Sequence, residues 1–386
     1  MVTISCSGKF HAFALAEQLQ RRGRLDRLFT AFASQKNTLA RHFVRRIDQE
    51  QIPVDKIHTN LALAVPIKAF PAAAHRWNDL FDRWVARSLG AMRSQVFIGW
   101  SGMSLHSLRR AKRDGLKTIL ERGSSHIEYQ NEILKEEYKR FGMDFAIHPA
   151  VIEKELAEYQ EADFVSVPST FVKNSFLAKG IDAKKLFLNH YGAGDAFAPA
   201  SASVHPDTGK LIIVYLGALS IQKGLIYLFE ALKLLDAPES AFEVWFIGSV
   251  VDRPVQLALD RARRPNWRVF GHIDHYRLGP YLSQCDVGVQ PSLQEGLSMV
   301  IPQLLASGVP IVVSTNSGGA DLVTEGDNGF VVPIRDPQAI ADKLSLLFHD
   351  RVRLRAMKQA ARASIENRFT WDHYGLRYAD FLASLT

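Results

Sequence analysis

Cysteine is almost missing from these 386 residues: there are two, Cys6 and Cys285. Two thiols so far apart exclude a disulfide framework and a cysteine-ligated metal site. A reducing, cytoplasmic setting is therefore expected. Long apolar runs are missing too. None approaches the roughly 18 residues a membrane span needs, and LALAVPIKAF is short and carries Lys68. The opening MVTISCSG has no basic stretch leading into an apolar one, so no signal peptide is expected. Low-complexity sequence and repeats of solenoid period are likewise missing, which rules out linker-like and array architectures. The GxGxxG fingerprint is absent as well; after the first strand only Gly8 stands where that motif needs three glycines.

What remains is an ordinary globular composition, 47% hydrophobic and 23% charged, in a chain long enough for two to three domains. The net charge is +7 and is concentrated early, at Arg21, Arg22, Arg24 and Arg27, then Lys36, Arg41, Arg45 and Arg46. A solvated surface accounts for such a face. So does attraction to an anionic membrane surface or a phosphate-linked lipid. Nucleic acid is not expected as a partner, because no recognised module or aromatic-plus-basic pattern accompanies the charge.

Along the chain, short apolar runs alternate with stretches of helical period. Val2–Ser5, Leu28–Ala31, Val96–Trp100, Lys117–Leu120 and Phe164–Val167 read as strands of a first half. Leu211–Leu216, Val244–Ile247, Trp267–Phe270, Val287–Val289, Ile311–Ser314 and Phe330–Val332 read as strands of a second. The Pro/Ser/Ala/Gly-rich stretch Ala198–Gly209 divides them. Strand–helix alternation in both halves predicts an α/β protein of two Rossmann-like, doubly wound parallel sheets facing each other across a cleft.

Ligands of such sheets bind beyond the carboxyl ends of the strands, where helix amino ends offer unpaired N–H groups to anions. Three loops of this chain fit. Gln290–Gly319 carries Glu295 and Gly296 into a helix whose cap is expected at Ser298. Gly217–Gly224 carries Lys223 after a buried strand, and Glu121–His126 brings Arg122 and His126 to a strand end. Together they suggest a site for a phosphorylated, hydroxyl-rich ligand. Gly8, Lys9 and His11 form a weaker fourth loop; His11 reads equally as a partly buried histidine bonded to backbone.

Four stretches of the second half, LGALSIQKGLIYLFEAL, GHI, EGLSMVIPQLLASGVPIVVSTNSGG and EGDNGFVVP, resemble the retaining glycosyltransferases of family 4. SGKFHAFALAEQL, VPSTFVKNSFLAKGI and YGAGDAFAP resemble the family more loosely. The resemblance implies a GT-B fold, with an acceptor-binding domain over 1–199, a donor-binding domain over 207–367, and a terminal helix, 368–386, returning to the first. It implies transfer of a sugar from a nucleotide-sugar donor to a glycan or lipid-linked acceptor, with retention of configuration, no metal and no cofactor. Lys223 matches the lysine on the donor pyrophosphate, with Gly217 and Gly224 in the same loop. Glu295 matches the carboxylate on the transferred sugar, and the amides of Gly296, Leu297 and Ser298 add to the diphosphate site. His126 falls where relatives place a histidine near the sugar, and Gly8 and Lys9 match a loop closing over the cleft.

Two positions depart from that family. Ala218 stands where an arginine usually binds the pyrophosphate, and Gln303 replaces the second glutamate. A charge-assisted contact of that kind contributes about 1.5–3 kcal/mol, so Arg122 or Lys9 is expected to supply the missing cation. Pro302, inside the helix, is tolerated in its first turn. A nucleotide-sugar epimerase and a donor-binding partner subunit with weak catalysis are the alternative readings.

Overall fold

The computed structural model describes residues 1–8, 10–31, 51–60, 62–63, 73–90, 93–194, 197 and 209–385. Lys9, the basic residues at 36–46, most of LALAVPIKAF and the 198–208 part of the expected boundary lie outside the described residues.

Both expected sheets are present. The first holds β1 (Val2–Ser5), β2 (Leu25–Thr30), β3 (Ile57–Thr59), β4 (Val96–Trp100), β5 (Lys117–Glu121), β6 (Phe164–Val167) and β7 (Leu186–Leu188). Its order is β3-β2-β1-β4-β5-β6-β7, and every pairing is parallel. The second holds β8 (Leu211–Leu216), β9 (Phe242–Ile247), β10 (Trp267–Gly271), β11 (Val287–Gln290), β12 (Ile311–Ser314) and β13 (Gly329–Val332). Its order is β10-β9-β8-β11-β12-β13, again all parallel. Helices cover both faces of such a sheet, which is why β1, β4, β11 and β12 are buried along their whole length and read as continuous runs.

In the first domain the helices are α1 (Ala12–Arg21), α2 (Ala74–Ser88), α3 (Leu105–Arg113), α4 (Ile127–Arg140), α5 (Pro149–Glu161) and α6 (Thr170–Ala178). The second carries α7 (Leu225–Leu234), α8 (Arg253–Ala262), α9 (Gly279–Leu282), α10 (Val300–Ala306), α11 (Pro337–His349) and α12 (Arg351–Arg368). Strand order reverses between β1 and β4 in one sheet and between β8 and β11 in the other. These two switch points place the loops after β1, β8 and β11 where a ligand crevice forms.

The last helix, α13 (Trp371–Ser384), starts on a capping box in which Thr370 and His373 satisfy each other's backbone amides. It leaves the second domain and packs on α1. Gly375 lies so close to α1 that a Cβ there would fall 2.6 Å from the Gln18 Cβ. Tyr374, Tyr378 and Leu382 bury against the first sheet, and Phe381 stacks on Phe187 of β7 with ring centroids 3.9 Å apart. Burying side chains of this size contributes about 1.5–3 kcal/mol each. Arg22, just beyond α1, closes the contact on Asp372 at 2.7 Å. Part of the early basic cluster is thus committed within the fold, since Arg21 also pairs with Glu17 at 2.7 Å.

The domains also meet through α4. Its Tyr138, with Phe141 and Met143 just beyond, packs on the core of the second domain. Beside them Glu137 is fully buried between the Tyr227 hydroxyl at 2.5 Å and the Arg335 guanidinium at 2.6 Å. A buried carboxylate is tolerated only when paired in this way. Among the described residues, no helix is long and apolar enough to cross a membrane.

Candidate active site

Lys223 and Glu295 sit on different loops, after β8 and β11, and the local backbone forces the loops together. Gly224 adopts φ +72°, and a Cβ there would lie 2.1 Å from the Pro291 carbonyl oxygen. Only glycine fits both the conformation and the contact. The Gln222 carbonyl accepts the Leu293 amide at 2.9 Å, and the Gln222 side chain donates to the Gln294 carbonyl at 3.1 Å. As a result the Lys223 ammonium contacts the Glu295 carboxylate directly. Burial lowers the Lys223 pKa to about 8; the carboxylate beside it pulls the other way. Beside this pair the Gly296 and Leu297 amides meet no acceptor among the described residues, so they remain available to an anion.

Across the cleft the first domain closes on this loop. A Cβ on Gly296 would lie 2.0 Å from the Gly123 carbonyl oxygen. The Ser169 hydroxyl donates to the Gly296 carbonyl at 2.6 Å, and the Gln294 amide donates to Ser124 at 2.6 Å and Ser125 at 2.9 Å. Asp321 accepts from the Thr170 amide at 2.6 Å and meets His190 Nε2 at 2.8 Å. Burial alone would raise the Asp321 carboxyl, but His190 and the Thr170 amide hold it below the ordinary carboxylate range. Gln294, Ser169, His190 and Asp321 were not legible as site residues, because each matters only through a contact with the opposite domain.

Several expected residues have other duties. The His126 ring is buried in the first domain, 5.0 Å from both Tyr159 and Phe176, and its Nδ1 caps α4 by accepting the Glu128 amide. Burial, with Arg122 nearby, lowers its pKa to about 4, so it is a neutral imidazole. His126, expected near the donor sugar, stands at the strand end with its side chain turned inward. Arg122, expected to supply a cation to the cleft, is held within the first domain in this structure. Its guanidinium is spent on Glu155 at 2.9 Å, the Ser125 carbonyl, Ser101 and Gln130, leaving no fork for a diphosphate. It shapes the 122–125 loop instead.

His11 stands at the start of α1 with Nε2 2.9 Å from Glu121, whose other oxygen accepts the Tyr378 hydroxyl at 2.7 Å. It is almost buried between Trp100 and Tyr191, beside Gly8 in the same loop. Gly217 lies in the Lys223 loop, but its amide is committed to the Ile247 carbonyl at 2.9 Å. Ser298 does not cap the helix. Its amide donates to the Ser317 carbonyl at 3.4 Å, so α10 starts later, with Met299 in the cap position. Pro302 then falls third in α10, where no backbone bond is lost. Gln303 follows it and is nearly buried. The Ala218 carbonyl accepts the Tyr215 hydroxyl at 2.7 Å.

Among the described residues, Asp79, Asp82 and His106 form a group whose atoms could hold an ion. Lys154 Nζ lies 3.1 Å from both carboxylates and supplies the positive charge there.

Residues 199–364 match the family model described as glycosyl transferases group 1. A glycogen synthase of Mycobacterium tuberculosis is 27% identical over 174 residues, 44% of this chain and 42% of that protein. The chain spans less than half the length of the first curated relatives it matches. Two solved structures are similar from end to end. Sucrose-phosphate synthase from Thermosynechococcus elongatus has a TM-score of 0.70 at 16% identity, covering 100% of this chain and 98% of that one. Anabaena HepE in complex with UDP and glucose has a TM-score of 0.71 at 15% identity, covering 99% of each chain. At these identities the likeness concerns the fold, which is the two-domain GT-B type.

Proposed function

We propose that the protein is a retaining, metal-independent glycosyltransferase of family 4 that moves a sugar from a nucleoside-diphosphate donor to a hydroxyl acceptor. The observation that carries this reading is the meeting of Lys223 and Glu295 beside free backbone amides at a strand-order switch point. A diphosphate competes with Glu295 for the ammonium, which then neutralises the charge growing on the leaving phosphate as the glycosidic bond breaks. The released carboxylate accepts hydrogen bonds from hydroxyls of the transferred sugar. The Gly296 and Leu297 amides face the phosphates. With no protein nucleophile in this scheme, displacement occurs on the front face, and the leaving phosphate takes the proton of the acceptor hydroxyl. Positioning and charge stabilisation supply the rate. The similarity to a structure holding UDP and glucose supports a nucleotide-sugar donor.

The acceptor is a glycan or lipid-linked hydroxyl in cell-surface polysaccharide or glycolipid synthesis, met in the cytoplasm at the anionic face of a membrane. Arg24 and Arg27, the early cations among the described residues that are not committed to ion pairs of the kind made by Arg21 and Arg22, support that contact.

Nucleotide sugars should raise the melting temperature, since a ligand at 100 times its Kd stabilises by about 2.7 kcal/mol. A panel with no stabilising nucleotide sugar would sink the donor assignment. The product formed from the stabilising donor should keep its anomeric configuration by NMR; an inverted product would refute the front-face mechanism. Isomerisation of the donor without acceptor would identify an epimerase instead.

A further inference from the structure

At the other end of the first sheet lies a cavity of about 510 Å3 whose lining includes Arg83, Arg87, Arg109, Lys112, Arg113 and Glu161. It sits where α2, α3 and α5 end. Those helices run down to the amino ends of β4, β5 and β6, whereas the cleft lies beyond the carboxyl ends of the strands. Five cations thus face one carboxylate at a place remote from Lys223.

Three of the cations are answered within the fold. Arg83 pairs with Asp79 at 2.7 Å, Arg109 with Glu161 at 2.8 Å, and Lys112 donates to the Glu161 carbonyl at 2.8 Å. Arg87 and Arg113 are exposed and have no hydrogen bond or ion pair with any described residue. Both lie in the last turn of a helix, where the macrodipole offers about half a negative charge per helix end. Two helix ends therefore answer about half of two full charges. The wall behind them is fixed: buried Asp82 of α2 accepts the His106 and Ser107 amides of α3, each at 2.9 Å, and so pins one helix to the other. Arg87 and Arg113 line one cavity from adjacent, pinned helices, and arginine binds phosphate oxygens in bidentate fashion.

We propose that this cavity is a second anion site, taking a phosphate or diphosphate group on Arg87 and Arg113, independent of the donor cleft. The group comes either from a soluble phosphate compound or from a phospholipid headgroup.

The test maps arginine modification by phenylglyoxal on the full chain with mass spectrometry, which reads each position separately from the donor site. Pyrophosphate, or vesicles of phosphatidylglycerol, should slow modification of Arg87 and Arg113 at least fivefold, with exposed Arg261 as the unchanged reference. Protection by pyrophosphate alone supports the site and identifies a soluble phosphate; protection by the vesicles but not by phosphatidylcholine supports it and identifies a headgroup. If neither probe changes Arg87 and Arg113 relative to Arg261, the two arginines serve only the helix ends and the proposal is overturned. Arg87→Ala/Arg113→Ala should leave pyrophosphate unable to protect Arg109; protection of Arg109 persisting in that variant would also overturn it.

Discussion

Lys223→Ala should lower turnover by about 10²–10³-fold, the range found when a preorganised charge-stabilising donor is removed, while the circular dichroism of the protein stays unchanged. The side chain lies at a loop tip and holds no part of either core, so its loss removes charge rather than packing. Near-wild-type rates would contradict the role given to Lys223. Lys223→Arg adds a second handle. With the ammonium pKa lowered by burial to about 8, wild-type activity should fall as pH rises above that value, allowing for the upward pull of Glu295. Arginine stays charged, so the variant should lose this alkaline limb even if its rate is lower.

Stability should move in the opposite sense. A lysine whose folded pKa lies below its unfolded value binds fewer protons folded than unfolded between the two. Its charge costs stability below the folded pKa, and the cost disappears as pH rises toward the unfolded one. Loss of activity near pH 9 accompanied by a falling melting temperature would mean unfolding, not titration of Lys223.

Gly296→Ala is the second large effect. Its Cβ would sit 2.0 Å from the Gly123 carbonyl oxygen and 3.0 Å from the Ser124 amide nitrogen, backbone atoms of the other domain that have no rotamer to escape into. Relief requires the domains to part by more than 1 Å at the Glu295 loop, and a misplacement of that size at the proposed site costs about 10²-fold in rate. Each domain should remain folded, and the Lys223 loop should keep its donor affinity, because both sides of that contact lie in the second domain. Gly90→Ala is the control: no described residue lies within 4 Å of its Cβ, and activity should not change. Equal activities of the two variants would show that the domain contact at Gly296 is not needed for turnover.

The parts of this architecture legible in the sequence are those set by local order. Strands buried on both faces write themselves as Leu211–Leu216 or Ile311–Ser314, and the loops that follow are where Lys223 and Glu295 were found. Contacts between distant segments left no such mark. Nothing near Gly296 in sequence signals Gly123, and nothing near Glu121 signals Tyr378. His126 and Arg122 show the same limit from the other side. A strand-end position was readable, but a side chain there can face the cleft or turn inward, and the partners that turn it inward, Tyr159, Phe176 and Glu155, come from later helices. The displaced start of α10 has a similar cause, since the Ser317 carbonyl captures the Ser298 amide. β3 went unread because only three residues of it pair, Ile57–Thr59.

The return of α13 to the first domain sets an order of events during synthesis. A nascent chain makes the first sheet early, yet the hydroxyl that holds buried Glu121, the ring that stacks on Phe187 and the surface that covers Gln18 arrive only with α13, after the second domain. Domains of a growing chain ordinarily fold from the amino end as they emerge. Here the first domain must wait for the second, with Glu121 lacking its tyrosine and Phe187 lacking its stacking partner until α13 is made. A fragment ending at residue 194 should accordingly show weak amide protection in β5 and β7, regained on adding a peptide spanning residues 369–385; full protection in the fragment alone would show that the early domain closes by itself.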